Sequence, residues 1–128
     1  MKRWRWVRAD VLYAIHDRQI AEHGGPSGVL DANRVEAALA HPRNLAAYES
    51  PDAATLAAAY AHRLARSHGF ADGNKRTGWV AARLFLADNG FRLRFDPADA
   101  VRTMQSVAAD DLSEKDLAAW FRQRMFHS

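Results

Sequence analysis

Apolar residues recur at helical spacing along most of this chain, and no stretch alternates long enough to build a sheet. Val11, Leu12 and Ile15 share one side of a first helix running from about residue 9 to residue 23. Gly24-Gly25-Pro26 stops it, because glycine closes a helix in the left-handed conformation and proline cannot continue one. A glycine-rich loop through Gly28 follows. Asp31 suits the N-cap of a second helix carrying Val35 and Leu39, which Pro42 is expected to end. Asp52 caps a third, from about residue 53 to residue 67, in which Leu56, Tyr60 and Leu64 recur every four residues beside Ala57 and Ala61.

After an interruption at Gly69 to Gly73, Asn74 can cap a fourth helix over about residues 75 to 88, closed by Asn89-Gly90. Its apolar residues, among them Trp79, Val80, Leu84, Phe85 and Leu86, surround most of the axis, the pattern of a buried central helix. Residues 91–95 alternate like a strand. One strand without a partner makes no sheet, so this stretch is expected to be an extended connector. Asp96-Pro97 opens a fifth helix with Val101, Met104 and Ala108 facing inward. Ser113 begins a sixth with a capping box, and Leu117, Trp120 and Phe121 form its buried stripe. The expected fold is all-α: a compact bundle of about six helices in a single domain spanning residues 1–128, without repeats or low-complexity tracts.

Composition narrows the function without naming it. The chain has 128 residues, 48% of them apolar, which suits one continuous core. It has no cysteine, which excludes disulfides, thiolate metal sites and cysteine nucleophiles and suits a reducing cytoplasm. No apolar run approaches the roughly 18 residues that span a bilayer, so no membrane association is expected. The start, Met1 to Arg8, is basic like the first region of a signal peptide, but Arg8, Asp10, His16 and Asp17 deny it a hydrophobic stretch, so secretion is not expected. A net charge of +3 is compatible with an ordinary solvated surface and does not by itself point to direct nucleic-acid binding.

The chemistry is concentrated in His68-Gly69-Phe70-Ala71-Asp72-Gly73-Asn74-Lys75-Arg76-Thr77. Gly73 to Thr77 place unpaired backbone amides and two cations at a helix start, where the helix dipole also favours negative charge. Arg76 can grip phosphate oxygens through two parallel bonds, and Lys75 supplies a compact charge. The pattern is not a Walker A loop, because Gly69 lies one residue too close to Gly73. Asp72 offers a hard oxygen ligand for Mg²⁺, which takes one or two carboxylates plus substrate phosphates. His68, at the end of the preceding helix, is placed to take a proton from an attacking hydroxyl. Phe70 reads as a core anchor for the loop, and Arg66 as a further charge near the site. Singly, each has an ordinary reading as a helix cap, a turn, a solvated pair or a core residue. Their combination within ten residues favours a phosphate-handling site.

This segment resembles the signature loop of the Fic/Doc family, and within it the Doc branch. Fic-branch members read His-Pro-Phe, a variable residue, Asp or Glu, Gly-Asn-Gly-Arg and a second Arg three residues on. Here Gly69 replaces the proline, Lys75 the second glycine and Trp79 the second arginine, and the Asn-Lys-Arg-Thr ending is that of Doc. Val80 stands where Doc carries a polar residue. His16-Asp17, Gly24-Gly25, Gly28 and residues 31–39 are similar to Doc's first two helices and the loop between them.

The resemblance implies a toxin of a toxin–antitoxin system that transfers the γ-phosphate of ATP to a protein hydroxyl, by analogy a threonine of elongation factor Tu, and so inhibits translation. It implies His68 as base, Asp72 as Mg²⁺ ligand, and Gly73, Asn74, Lys75 and Arg76 as phosphate binders, with Arg66 as an auxiliary arginine. The loop from Gly24 to Leu30 is a candidate for aligning the target. None of Glu22, Glu36, Glu49 and Glu114 has Ser or Thr four residues earlier, as the inhibitory helix of some Fic proteins requires. Restraint is therefore expected from another chain, a Phd-like antitoxin folding into a groove. Two alternatives stay open: Fic-type adenylyl transfer through the same residues, and a helical binding module without turnover.

Overall fold

The computed structural model describes residues 3–128; Met1 and Lys2 of the basic start lie outside that range. Six helices form among the described residues: α1 (Ala9–His23), α2 (Ala32–Tyr48), α3 (Ala53–Ala65), α4 (Asn74–Asp88), α5 (Pro97–Ala108) and α6 (Glu114–Arg124). The expected helical architecture holds, with one addition. The stretch after α4 is not a bare connector: β1 (Phe91–Leu93) pairs antiparallel with β2 (Met125–His127), Phe91 opposite His127 and Leu93 opposite Met125. Its partner is the far end of the chain, a long-range pairing that local alternation cannot reveal.

Short polar side chains start most of the helices, because they accept bonds from amides that lack an intrahelical partner. Asp31 accepts from the Asn33 and Arg34 amides, Asp52 from Thr55, Asp96 from Ala98 and Ser113 from Asp116. Pro42 does not end the second helix as expected; it lies buried inside α2, which continues to Tyr48. A proline there removes one helical bond. Burial of Pro42 and the packing of Leu45 and Ala46 on the core carry the helix past that defect.

The bundle is organised around α3, in which ten of 13 residues are buried, with Leu56, Tyr60 and Leu64 forming the predicted stripe. The helix expected at the centre, α4, lies alongside it and buries one face through Thr77, Gly78, Ala81, Ala82, Phe85 and Leu86. Their crossing is close: a Cβ on Gly78 would stand 2.9 Å from the Ala61 carbonyl oxygen and 3.2 Å from the Ala65 nitrogen. Before α1, Trp4 and Trp6 pack against Phe85 with ring centroids 5.8 and 5.9 Å away. The Val7 amide there donates to the Tyr60 hydroxyl at 3.0 Å.

On α5 the inner face is Ala100, Thr103, Met104 and Val107. Val101, expected inward, is 58% exposed, because the buried stripe is rotated by one residue. No helix among the described residues is long and apolar enough to cross a membrane.

Two stability predictions follow from these contacts. Gly78→Ala gains helix propensity of about 1 kcal/mol but drives a methyl into the α3 backbone, so chemical denaturation should show a net loss of about 1–2 kcal/mol.

The second concerns Asp52, which caps α3 and receives two bonds from Arg122 of α6, at 2.8 and 3.1 Å. The Arg122 guanidinium holds its carboxyl well below the usual carboxylate range. A depressed folded pKa gives stability that is present above the unfolded value and lost as pH falls toward the folded one. The pair is half exposed, so it is worth only about 0.2–1 kcal/mol, to which the cap adds about 1 kcal/mol. Asp52→Ala should thus lose about 1–2 kcal/mol near neutral pH. Its difference from the wild type should shrink below about pH 4 in urea titrations.

Candidate active site

Between the end of α3 and the start of α4 the chain makes a tight return whose side chains alternate in fate. Gly69, Phe70, Gly73 and Thr77 are buried, whereas His68, Asp72, Lys75 and Arg76 are exposed. His68 takes a left-handed backbone, φ 52°, which directs the chain away from α3. Ser67 Oγ donates to the Leu64 carbonyl at 2.9 Å and accepts from the Gly69 amide at 3.1 Å. Phe70 is the anchor the sequence predicted. Its ring stacks on His16 of α1 at 3.8 Å and meets the edge of Tyr13 at 6.0 Å.

Asn74 is not the cap of α4. That place belongs to Gly73, in the left-handed conformation with φ 78°, and Asn74 is the first helical residue. Its side chain turns back across the loop instead, accepting from the Phe70 amide at 3.2 Å and donating to the Phe70 carbonyl at 3.1 Å. Asn74 therefore clasps the loop. No side chain caps the first turn of α4, so its leading amides remain available to an anion.

Two further elements support the loop in a way the sequence did not show: His16 had entered only as part of the resemblance, and the α1–α2 loop as a candidate for aligning the target. His16, buried in α1, lies 2.8 Å from the Asp72 carbonyl through Nε2. A carbonyl only accepts, so Nε2 carries the proton in this bond. The spacing Leu12–His16, four residues apart, was the available sign that His16 faces inward. The loop between α1 and α2 forms the second support. The amides of Leu30 and Asp31 donate to the Gly69 carbonyl at 2.8 and 3.1 Å, the Ala71 amide donates to Gly28, and Val29 bridges Phe70. At Gly25, φ 106°, a Cβ would overlap the Asp72 carboxylate.

These supports bring His68, Asp72, Gly73, Asn74, Lys75 and Arg76 onto one open cleft of about 790 Å³, within the range of small-ligand sites. Its opposite wall comes from Phe95 and α5, including Val101 and Met104, and its floor continues along α4 to Trp79 and Arg83. Lys75 and Arg76 form no ion pair among the described residues, which leaves both cations for a ligand. Asp72 is the only carboxylate on the cleft wall, and one Oδ1 lone pair is used by the Gly73 amide at 2.7 Å. The described residues contain no cluster of three His, Cys, Asp or Glu. A single carboxylate fits Mg²⁺ delivered with phosphates and does not fit an all-protein metal cage.

Arg66 is placed elsewhere. It donates to the Val107 and Ala108 carbonyls at 3.2 and 3.3 Å and lies 3.6 Å from Asp110, so it closes the C-terminal end of α5 and is not part of the cleft wall. Its position just past α3, facing the last turn of α5, makes carbonyl oxygens its nearest acceptors.

Residues 6–86, which include this whole loop and the helices that hold it, match the Fic/DOC family. The chain belongs to the Fic/Doc family. It is 33% identical over 120 residues to "Protein kinase doc" of Escherichia phage P1, covering 93% of this chain and 94% of that protein. It is 40% identical over 102 residues to "Toxin Doc" of Mycolicibacterium smegmatis, covering 75% and 77%. Both relatives bear the name Doc, which supports the Doc branch of the family for this chain.

The close seat of the α1–α2 loop on the family loop can be tested through Gly25. Gly25→Ala should strain the α1–α2 loop, because a φ of 106° suits glycine, and turn the exposed Asp72 carboxylate aside, loosening the bonds made by the Ala71 and Leu30 amides. Hydrogen exchange at those amides should then accelerate at least about tenfold, while the α3 amides stay protected.

Proposed function

We propose that this protein is a Doc-type toxin that acts as a protein kinase, transferring the γ-phosphate of ATP to a hydroxyl of a protein target. The reading is carried by one arrangement: an uncapped helix start bearing Lys75 and Arg76, which have no ion-pair partner among the described residues, opening on the same cleft as His68 and Asp72. The names of the two relatives, a protein kinase and a toxin, support it.

In this reading the target hydroxyl oxygen attacks the γ-phosphorus as its proton passes to His68, and ADP leaves with the electrons of the broken bond. The amides of the first turn of α4, together with Lys75 and Arg76, hold the phosphate oxygens and offset charge that grows during transfer. Asp72 would hold Mg²⁺, which supplies neutralisation of phosphate charge when bound. Gly73 supplies the left-handed turn that opens α4, and Asn74 keeps the loop in shape. Arg66 acts at a distance by fixing the end of α5. The expected target is a threonine of elongation factor Tu, with arrest of translation as the outcome, and a Phd-like antitoxin would restrain the enzyme.

Adenylyl transfer is the competing chemistry. Trp79, at the position of the second Fic arginine, lies against Phe95, Trp120 and Phe121. An indole there cannot hold the terminal phosphates, which favours presentation of the γ-phosphate.

The test is transfer of radiolabel from ATP to purified elongation factor Tu with Mg²⁺, using γ-labelled and α-labelled ATP in parallel. Label should come from the γ position only. His68→Ala should lower the rate by about 10²–10⁴, and Lys75→Ala or Arg76→Ala by about 10²–10³ each. Label from the α position would make the protein an adenylyltransferase. No label on this target, but label on another protein of a cell extract, would move the target and keep the chemistry. No label at all, with phosphate binding intact, would leave a binding module.

A further inference from the structure

The cleft has two unlike halves. Near the start of α4 it is cationic and rich in free amides. Farther along it is lined by Trp79, Phe95, Val101 and Met104, and Arg83 interrupts that apolar surface. Arg83 lies seven residues beyond Arg76, on the same face of α4 and about 10 Å farther along its axis.

Arg83 has no carboxylate partner among the described residues. Its guanidinium instead stands 5.1 Å from the Phe95 ring centroid and 5.8 Å from that of Trp79. A guanidinium backed by protein rings can take a further planar ring on its open side, a face-to-face stacking contact that a planar guanidinium makes and the compact ammonium of lysine does not.

We propose that Arg83 is the nucleobase-binding residue of the cleft, presenting its guanidinium, backed by Trp79 and Phe95, to the base of the bound nucleotide. The proposal rests on the reading of the cleft as an ATP site and adds which residue holds the end of ATP that does not react.

Three observations select the base over a phosphate as the partner of Arg83. The phosphates have a better place at the helix start, where amides, dipole, Lys75 and Arg76 converge. Around Arg83 the Trp79 and Phe95 rings would strip water from an anion. An aromatic heterocycle meets the same surroundings favourably, with its faces against apolar side chains. The separation between Arg76 and Arg83 also matches the distance from the phosphates of a nucleoside triphosphate to its base in order of magnitude.

The deciding experiment compares equilibrium binding, by calorimetry with Mg²⁺, of ATP and of inorganic tripolyphosphate to the wild type, Arg83→Ala and Arg83→Lys. Circular dichroism confirms that each variant is folded, as expected for an exposed side chain. The wild type should bind ATP more tightly than tripolyphosphate. Arg83→Ala should weaken ATP roughly tenfold while leaving tripolyphosphate unchanged, and Arg83→Lys should fail to restore ATP binding.

An equal loss for both ligands, restored by lysine, would make Arg83 a phosphate contact and overturn the assignment. Unchanged ATP binding in Arg83→Ala would overturn it as well, with the ATP reading intact. A wild type that binds neither ligand would instead sink the ATP site itself, and Arg83 with it.

Discussion

The close approach of the α3 and α4 backbones governs everything downstream of it. Alanines along α3 and Gly78 on α4 remove the side chains that would hold the two axes apart. The helices are consecutive, so the segment 66–73 must reverse direction over a short span. That shortage of length forces unusual backbone. His68 and Gly73 both adopt positive φ, and a histidine in that region persists only when its surroundings over-determine it. His68, the proposed base, and the uncapped start of α4 are thus held at the two ends of one constrained return.

What over-determines the return comes from three sides. From within, Ser67 and Asn74 bond across it and remove its freedom to open. From α1, His16 ties down the Asp72 carbonyl and stacks on Phe70. From the α1–α2 loop, backbone bonds to Gly69 and Ala71 run along its outer edge. Arg66 extends the same logic to the far wall, because its bonds to the last carbonyls of α5 set where that helix ends. A charge that looks available for phosphate in the sequence is thus engaged in building the cleft.

Much of this was legible in the sequence, for reasons that differ by element. Caps and stops are local, so Asp31, Asp52, Asp96 and Ser113 begin helices where their chemistry predicts. The motif residues were legible because six of them lie within nine positions and converge by local geometry alone. Failures share a different cause. Pro42 inside α2, the pairing of β1 with β2, and the employment of Arg66 all depend on partners distant in sequence. Asn74 misled for a local reason: its side chain suits a cap, but the left-handed Gly73 takes that position and leaves the amide free to clasp Phe70. The apolar half of the cleft was hidden because Trp79 and Met104 read as core. Arg83 offered one sign, its seven-residue spacing from Arg76 on a helix otherwise expected to be buried.

The interleaving of anchors and reactive groups explains how a loop can be rigid and still open to solvent. Phe70 and the buried glycines hold the backbone from beneath, while His68, Lys75 and Arg76 stand exposed on it. Three cations share the cleft wall with one carboxylate, and the start of α4 lacks the side-chain cap that four other helices possess. Each feature works against stability, the first through repulsion and the second through unsatisfied amides. An anion at the helix start would relieve both together, replacing the missing cap and neutralising Lys75 and Arg76. Local rules broken without internal compensation mark a site whose missing partner is a ligand, and here both broken rules ask for the same one.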